Sequence, residues 1–472
     1  MDANNLQIYW HESQPVYGVC FRGEDGLFTA GGDNKVRMWR LNFGGASRRK
    51  VETIDFLASL TLHEQAVNVI RFDHRGEVLA SAGDDGQVLL WRLEEKSANN
   101  ITGFGDDAGA SEEAGSGEDK EWVVWKRIRS NAVNNEVVSG PSEVYDVCWS
   151  PDDKYIVTAS IDNSVKVFNV SNGNCVAYVK DHNHYVQGVT WDPQNEFIVS
   201  QSVDRSINVY EIQFNTPAEL KAMPNLDRIR RLRLRNRVVK GELPQISAGS
   251  DGSVLVNHSV LKTSYLFHNE TLPSFFRRLV MSPCGSLLVV PTGIFKSTQA
   301  DVAESQSSSA NPEVNNAIYI YTRASLKQAH NKPDVCLPFL NKPAIAVAFN
   351  QNYYKLQAEK PYIDLPYKLV FAVATTNQVL FYDTESPEPI SIVSNLHYTP
   401  LTDIAWSAKG DMVMVSSTDG FCSAISIDST LFGEQIDRPA SVKEVKTEDE
   451  EPKRKLDIVN ILPVRKKAKE VK

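Results

Sequence analysis

No stretch of this chain approaches the ~18 consecutive apolar residues of a membrane span, and its N-terminal residues lack the basic start and apolar run of a secretory leader. Cysteine is sparse. The six (Cys20, Cys148, Cys175, Cys284, Cys336 and Cys422) include no CxxC pair, and they fall mostly inside strand-like runs. A disulfide framework and a thiol-bound structural metal are not expected; buried thiols in a reducing compartment are. Net positive charge is absent as well. Fifty basic against 59 acidic residues give −9, so the molecule as a whole is no electrostatic binder of DNA. Walker loops, GxSxG, HExxH and paired Cys/His metal spacings are missing too. The chain is expected to be soluble and intracellular, with no catalytic residue, metal or cofactor.

What is present is a repeated pattern. His63 to Leu93 reads HEQAVNVIRFDHRGEVLASAGDDGQVLLWRL. Two apolar runs, Val67 to Phe72 and Val78 to Ser81, flank the turn DHRG, and a third, Val88 to Trp91, follows AGDDG. Each run is too short for a helix and rich in β-formers, which predicts three antiparallel strands. Asp85 can accept a proton from the His63 ring, His63 can reach the Ser81 hydroxyl, and that hydroxyl can meet the Trp91 indole. Such a chain satisfies polar groups that the fold must bury. This is the signature of a WD repeat, one blade of a β-propeller.

Copies recur along the chain. The first is Val16 to Leu41, with Thr29, Asp33 and Trp39 at the Ser, Asp and Trp positions and an outer strand over Ile54 to Leu62. His11 is taken as one residue out of phase, so an incomplete polar chain is expected there. The third copy, Glu143 to Val170, carries Thr158, Asp162 and Phe168; the fourth, His182 to Ile212, carries His182, Ser200, Asp204 and Tyr210. The fifth is degenerate, built from Phe275 to Val290 and Ala317 to Thr322. The sixth combines Ala344 to Phe349 with Lys368 to Thr384. The seventh is His397 to Ile427, with Asp419 in phase and Ile425 in place of Trp. Third-strand markers from Trp39 to Ile425 are 52, 77, 42, 111, 61 and 43 residues apart. The short steps match the ~40–45-residue period of this repeat, and the long ones coincide with polar insertions. The fold class is therefore all-β, a seven-bladed propeller over residues 1–430. Leu6 to Trp10 is expected to close the ring as the outer strand of the last blade. An acidic, disordered insertion is expected at 96–120, loops at 241–262, 297–312 and 350–366, and a flexible tail at 431–472.

Four features invite a functional reading. The His–Ser–Asp sets resemble a hydrolase triad, yet they recur at fixed spacing in blades two and four, which fits a structural network better than one active site. The acidic insertion (Asp106, Asp107, Glu112, Glu113, Glu118 and Asp119) suits a basic partner such as histones, or is a solvated linker. Leu226 to Lys240 alternates Arg231, Arg233, Arg235 and Arg237 with leucine, which predicts an outer strand with one charged face. In the tail, Lys453, Arg454 and Lys455 and then Arg465, Lys466 and Lys467 read as a nuclear import signal. Between them, Leu456 to Val464 could add as a strand to a partner's sheet edge.

Several blocks carry a family resemblance: LQIYWHESQPVYGVCF, FTAGGDNKVRMWRL, HEQAVNVIRF, VLASAGDDGQVLLW, HYVQGVTWDP and above all YLFHNETLPSFFRRLVMSPCG. Together they resemble the WD-repeat middle subunits of chromatin assembly factor 1, in their fungal form. The Tyr265 to Leu279 block is the most specific, because generic WD repeats do not carry it. The resemblance implies a nuclear, non-catalytic scaffold in a complex that deposits newly made histones on replicating DNA. Implied partners are the large and small subunits, the anti-silencing-function histone chaperone, and core histones, directly or through other subunits; DNA would be met only indirectly and a membrane not at all. The family's chaperone-binding motif is basic residues, an aliphatic, a proline two residues on, and a further aliphatic. Lys453, Arg454, Lys455 and Leu456 match its start. Ile458 stands where the family has proline, and Ile461, Leu462 and Pro463 follow. Another class of function open to a WD propeller is substrate receptor of a ubiquitin ligase, although no adaptor-binding helical motif precedes the first blade.

Overall fold

The structure, a computed structural model, describes residues 1–44, 50–95, 111–113, 120–133, 136–137, 140, 142–223, 225–242, 245–248, 254–257, 263–297 and 313–439. Its strands form seven antiparallel sheets around one axis. Blade one comprises Val16–Arg22, Gly26–Gly31, Val36–Phe43 and Val51–Leu60; blade two Val67–Phe72, Val78–Gly83, Gln87–Glu95 and Lys120–Arg129. Blades three and four run from Val144–Trp149 to Cys175–Val179 and from Val186–Trp191 to Ile229–Val238. Blade five holds Val280–Met281, Leu287–Ser297, Glu313–Thr322 and Val335–Leu340, and blade six runs from Ala344–Phe349 to Ser391–Ser394. Blade seven takes Leu401–Trp406, Met412–Ser417 and Cys422–Ser426, and receives Asp2–Leu6 as its fourth strand.

The turns explain why so short a repeat folds. Asn34, Gly86, Asn163, Arg205 and Gly420, each just after the repeat's aspartate, all have φ between 65° and 86°. In each of these turns the aspartate accepts the backbone N–H two residues on, as from Lys35 to Asp33 and from Gln87 to Asp85. The carboxylate thus organises a tight hairpin whose left-handed residue favours Asn or Gly. Packing follows the same repetition. Seven apolar cores each fill the junction between two neighbouring blades; one, for example, joins Phe28 and Val36 of blade one to Trp91 and Trp122 of blade two. No blade buries its faces alone, so stability depends on the closed ring.

Several expectations are corrected. The closing strand is Asp2–Leu6, not Leu6 to Trp10. Trp10 instead folds back, fully buried, its indole N–H donating to the Leu6 carbonyl, and packs edge-on to Trp39. Apolar alternation alone did not distinguish a strand from a buried return. The loop expected at 241–262 contains strands: Lys240–Glu242 pairs with Thr263–Tyr265, and a hairpin of Gln245–Ala248 and Val254–Asn257 joins blade five. Within 96–120, Ser111–Glu113 pairs with Val51–Leu60. Within 350–366, Tyr353–Tyr354 is a buried strand, and it pairs with Gln435–Ile436. The ordered chain therefore runs past 430, with Phe432 packed into the core between blades six and seven. The remainder of 96–119, residues 298–312 and the tail from 440, with all its motif residues, lie outside the described residues.

Candidate functional site

The repeat's polar side chains meet inside the blades. His63 Nδ1 lies 2.8 Å from Asp85, its Nε2 is 2.7 Å from Ser81 Oγ, and the Trp91 indole N–H donates to the same Oγ at 2.8 Å. A carboxylate can only accept, so Nδ1 carries the proton and Nε2 accepts from Ser81. Blade one has the same chain, and the expected phase error is absent. His11 Nδ1 is 2.6 Å from Asp33, Nε2 is 2.8 Å from Thr29, and Trp39 donates to Thr29 at 2.9 Å. The steps from histidine to hydroxyl and to aspartate are 18 and 22 residues, as in blade two. In blade four His182 meets Ser200 at 2.7 Å and Asp204 at 3.4 Å, while Tyr210 accepts from Asn208. In blade seven Val415 occupies the hydroxyl position. His397 Nε2 turns to Ser423, the cross-strand neighbour of Val415, at 2.8 Å. Blade three has no histidine; buried Lys166 reaches Asp162 at 2.5 Å, and Thr158 Oγ1 has no partner among the described residues.

These groups are walled in. His11, Ser81 and Ser200 have no exposure, and each serine hydroxyl is committed to a histidine. No nucleophile among them can meet a substrate. Thiols offer no substitute: burial pushes Cys148 and Cys175 up to about 11. No metal-holding cluster of acidic, His or Cys side chains occurs among the described residues.

The chain's own specificity lies at the axis, in the block Tyr265 to Leu279. Arg278 extends the inner strand of blade five: its N–H donates to Ile345 O, and its carbonyl accepts from Val347 N–H. Arg277 N–H donates to Gln187 O on the other side. A side chain at Gly188 would sit 1.9 Å from the Arg277 carbonyl, so only glycine permits this approach. The Arg278 guanidinium spans the centre. It donates to Tyr17 O at 3.3 Å, Thr402 O at 3.0 Å and Asn68 O at 2.8 Å, from blades one, seven and two. It lies 2.9 Å from Asp403 and 3.6 Å from Asp146, and Arg71 makes a two-point contact with Asp403 at 2.8 and 3.1 Å. One buried network thus links blades one, two, three, five and seven. Burial drives the Arg278 guanidinium below its ordinary range, with Asp403 opposing. Burial would raise Asp403, yet Arg278 and Arg71 hold its carboxyl below the usual carboxylate range. For Asp146, burial prevails and the value rises.

Sequence reading did not find this hub. A signal existed: Asp146-Val-Cys-Trp149 and Asp403-Ile-Ala-Trp406 repeat an acid at one register of an otherwise apolar inner strand. The basic strand Ile229–Val238 is the outer strand of blade four, but much of its charge is used internally. Arg237 meets Asp204 at 2.9 Å, Arg235 the Lys327 carbonyl, and Arg231 Gln213.

The titrating groups predict an acid-side profile. Burial lowers His11 and His268, so their contribution is complete above the unfolded value of ~6.5 and is lost as pH falls toward their folded values. Asp33, Asp85, Asp419 and Asp403 are held low against burial by their partners, and their contribution is lost below ~4. Asp84, Asp146 and Glu143, raised by burial, offset part of the loss between ~4 and their own folded values. Urea unfolding across pH ~3.5 to ~8 should show a level plateau above ~7, a shallow fall below ~6.5 and a steep one below ~4. His11→Gln should flatten the shallow part. A midpoint unchanged across that whole range contradicts the scheme.

Seven interlocked sheets whose His–Ser/Thr–Asp–Trp chains are sealed inside the blades define a WD-repeat β-propeller. Residues 1–431 match the family model described as the CAF1B/HIR1 beta-propeller domain, and the chain belongs to that family. It is 47% identical to the CAF1B subunit of chromatin assembly factor 1 from Saccharomyces cerevisiae, over 99% of this chain and 96% of that one. The corresponding subunit from Schizosaccharomyces pombe is 36% identical, over 94% of this chain and 91% of its own. That from Gallus gallus is 33% identical, over 92% and 69%.

Proposed function

We propose that this chain is the non-catalytic scaffold subunit of a nuclear, chromatin assembly factor 1-type histone chaperone. It would hold the large and small subunits while newly made histones pass to replicating DNA. The observation that carries this reading is the near full-length likeness to subunits of that factor, on a fold whose reactive side chains are spent on its own interior. Deposition would follow affinity differences between chaperones and DNA, with no bond chemistry by this chain and, at a net charge of −9, no direct grip on DNA.

The tail would recruit the anti-silencing-function chaperone through Lys453 to Pro463 and reach the nucleus through its basic clusters. Full-length tagged chain recovered from nuclei should bring both other subunits and that chaperone. Deleting 453–464 should weaken the chaperone interaction at least ~tenfold, about 1.4 kcal/mol, and leave the other subunits in place. Undiminished chaperone recovery rejects the tail's role. Ubiquitin-ligase components in place of histone-deposition subunits reject the scaffold reading.

A further inference from the structure

The hairpin turns that follow each repeat aspartate and the loops that enter each blade share one face of the ring, by the antiparallel order of the strands. On that face, where blades three, four and five meet, a pocket of about 410 Å³ opens between Tyr145, Tyr185, Leu272 and Phe275. Its size falls within the range of ligand pockets. Phe275 is 61% exposed and Tyr185 39%, so two large apolar side chains stand side by side with nothing over them. Isolated exposed aromatics are ordinary, but a pair lining one concave site marks a contact surface.

Two further observations describe what would fill it. First, two residues of the lining hold buried polar atoms with no partner among the described residues: Gln187 Oε1, an acceptor, and Arg277 Nε, a donor. One acceptor beside one donor is what the amide groups of an extended peptide satisfy. Second, the rim is acidic and unneutralised. Glu270 lines the pocket, and Glu143 lies 3.5 Å from the Tyr145 hydroxyl. Burial raises the Glu143 carboxyl, and nearby Asp84 raises it further; Asp84 is itself raised by burial. Neither Glu143 nor Asp84 has a basic partner among the described residues. The one cation in the wall, Arg277, is turned inward onto the carbonyls of Ser202, His268 and Asn269.

We propose that this pocket docks a short extended segment of a partner polypeptide in which a lysine or arginine neighbours a bulky apolar residue. The apolar side chain packs between Phe275 and Tyr185. The cation answers Glu143, Asp84 and Glu270, and the segment's amides pair with Gln187 and Arg277. The assignment stands on the pocket and does not depend on which complex the chain joins.

A phage-displayed library of random dodecapeptides, panned on the full-length chain, tests it. Phe275→Ser combined with Glu143→Gln serves as counter-target, since one side chain is exposed and the other half-buried, and Tyr185→Ser is a second variant should the first fail to fold. Enrichment of peptides with Lys or Arg within two positions of Leu, Phe, Tyr or Trp is expected. Synthetic versions should bind the variant at least ~tenfold more weakly by fluorescence polarisation. Acidic or featureless enrichment, equal binding to both folded variants, or no enrichment overturns the proposal. Equally tight competition by a synthetic 453–464 peptide overturns it as well, by making the occupant this chain's own tail.

Discussion

Arg278→Met is expected to lower the stability of the propeller by ~3–5 kcal/mol, the usual consequence of removing one partner from a buried ion pair. The methionine fills most of the same space, so the loss is chiefly electrostatic. Asp403 would keep Arg71, but Asp146, already raised by burial, would lose its nearest cation. The carbonyls of Tyr17, Asn68 and Thr402 would lose their donor at the axis, where solvent cannot replace it. Arg278→Lys keeps the charge but not a planar fork reaching three blades, and should recover only part of the loss. Asp403→Asn alone should also destabilise, and the double variant Arg278→Met/Asp403→Asn should cost less than the two changes added together. Urea unfolding of the full chain, followed by tryptophan fluorescence and by circular dichroism, checks each. A cost below ~1 kcal/mol for Arg278→Met would mean that the blades are held by their apolar junctions alone.

The hub also shows where sequence reading reaches its limit. Blade number, strand type and ring closure were legible because each rests on local signals: period-two apolar runs, a turn-forming aspartate followed by Asn or Gly, and a repeat length. The polar chain of blade two was legible for the same reason, since His63, Ser81, Asp85 and Trp91 lie within one repeat. Arg278, Arg71, Asp146 and Asp403 come from four different blades, and only the closed ring brings them together. Their sequence separations, 332 residues for Arg71 and Asp403, carry no periodic trace. The Tyr353–Tyr354 strand was missed for a related reason. Its partner, Gln435–Ile436, lies beyond the last repeat in a polar context that resembles a linker. Conversely, His11 was legible and misread: its steps to Thr29 and Asp33 equal those of His63 to Ser81 and Asp85.

Removal of residues 2–10 is expected to have the second large effect, because it opens the ring. Asp2–Leu6 pairs along its whole length with Cys422–Ser426, so deletion leaves five residues of blade seven as an unpaired edge. Leu6 and Trp10 also leave the apolar core between blades one and seven, where Trp10 is fully buried against Trp39. A fully buried tryptophan alone accounts for ~3–5 kcal/mol on truncation to alanine, and the lost backbone pairs add to it. The truncated chain should therefore unfold at much lower urea. It should lose the single transition that blade-to-blade coupling gives, and associate at micromolar concentration through the exposed edge. Adding the missing strand as a separate peptide should raise the unfolding midpoint as its concentration rises, as ligand binding to a folded state does. Trp10→Ala in the intact chain separates the two causes. It should lower stability while leaving the protein monomeric, since the edge stays covered. A truncated chain that remains monomeric with an unchanged midpoint would show that the ring closes without its N-terminal strand.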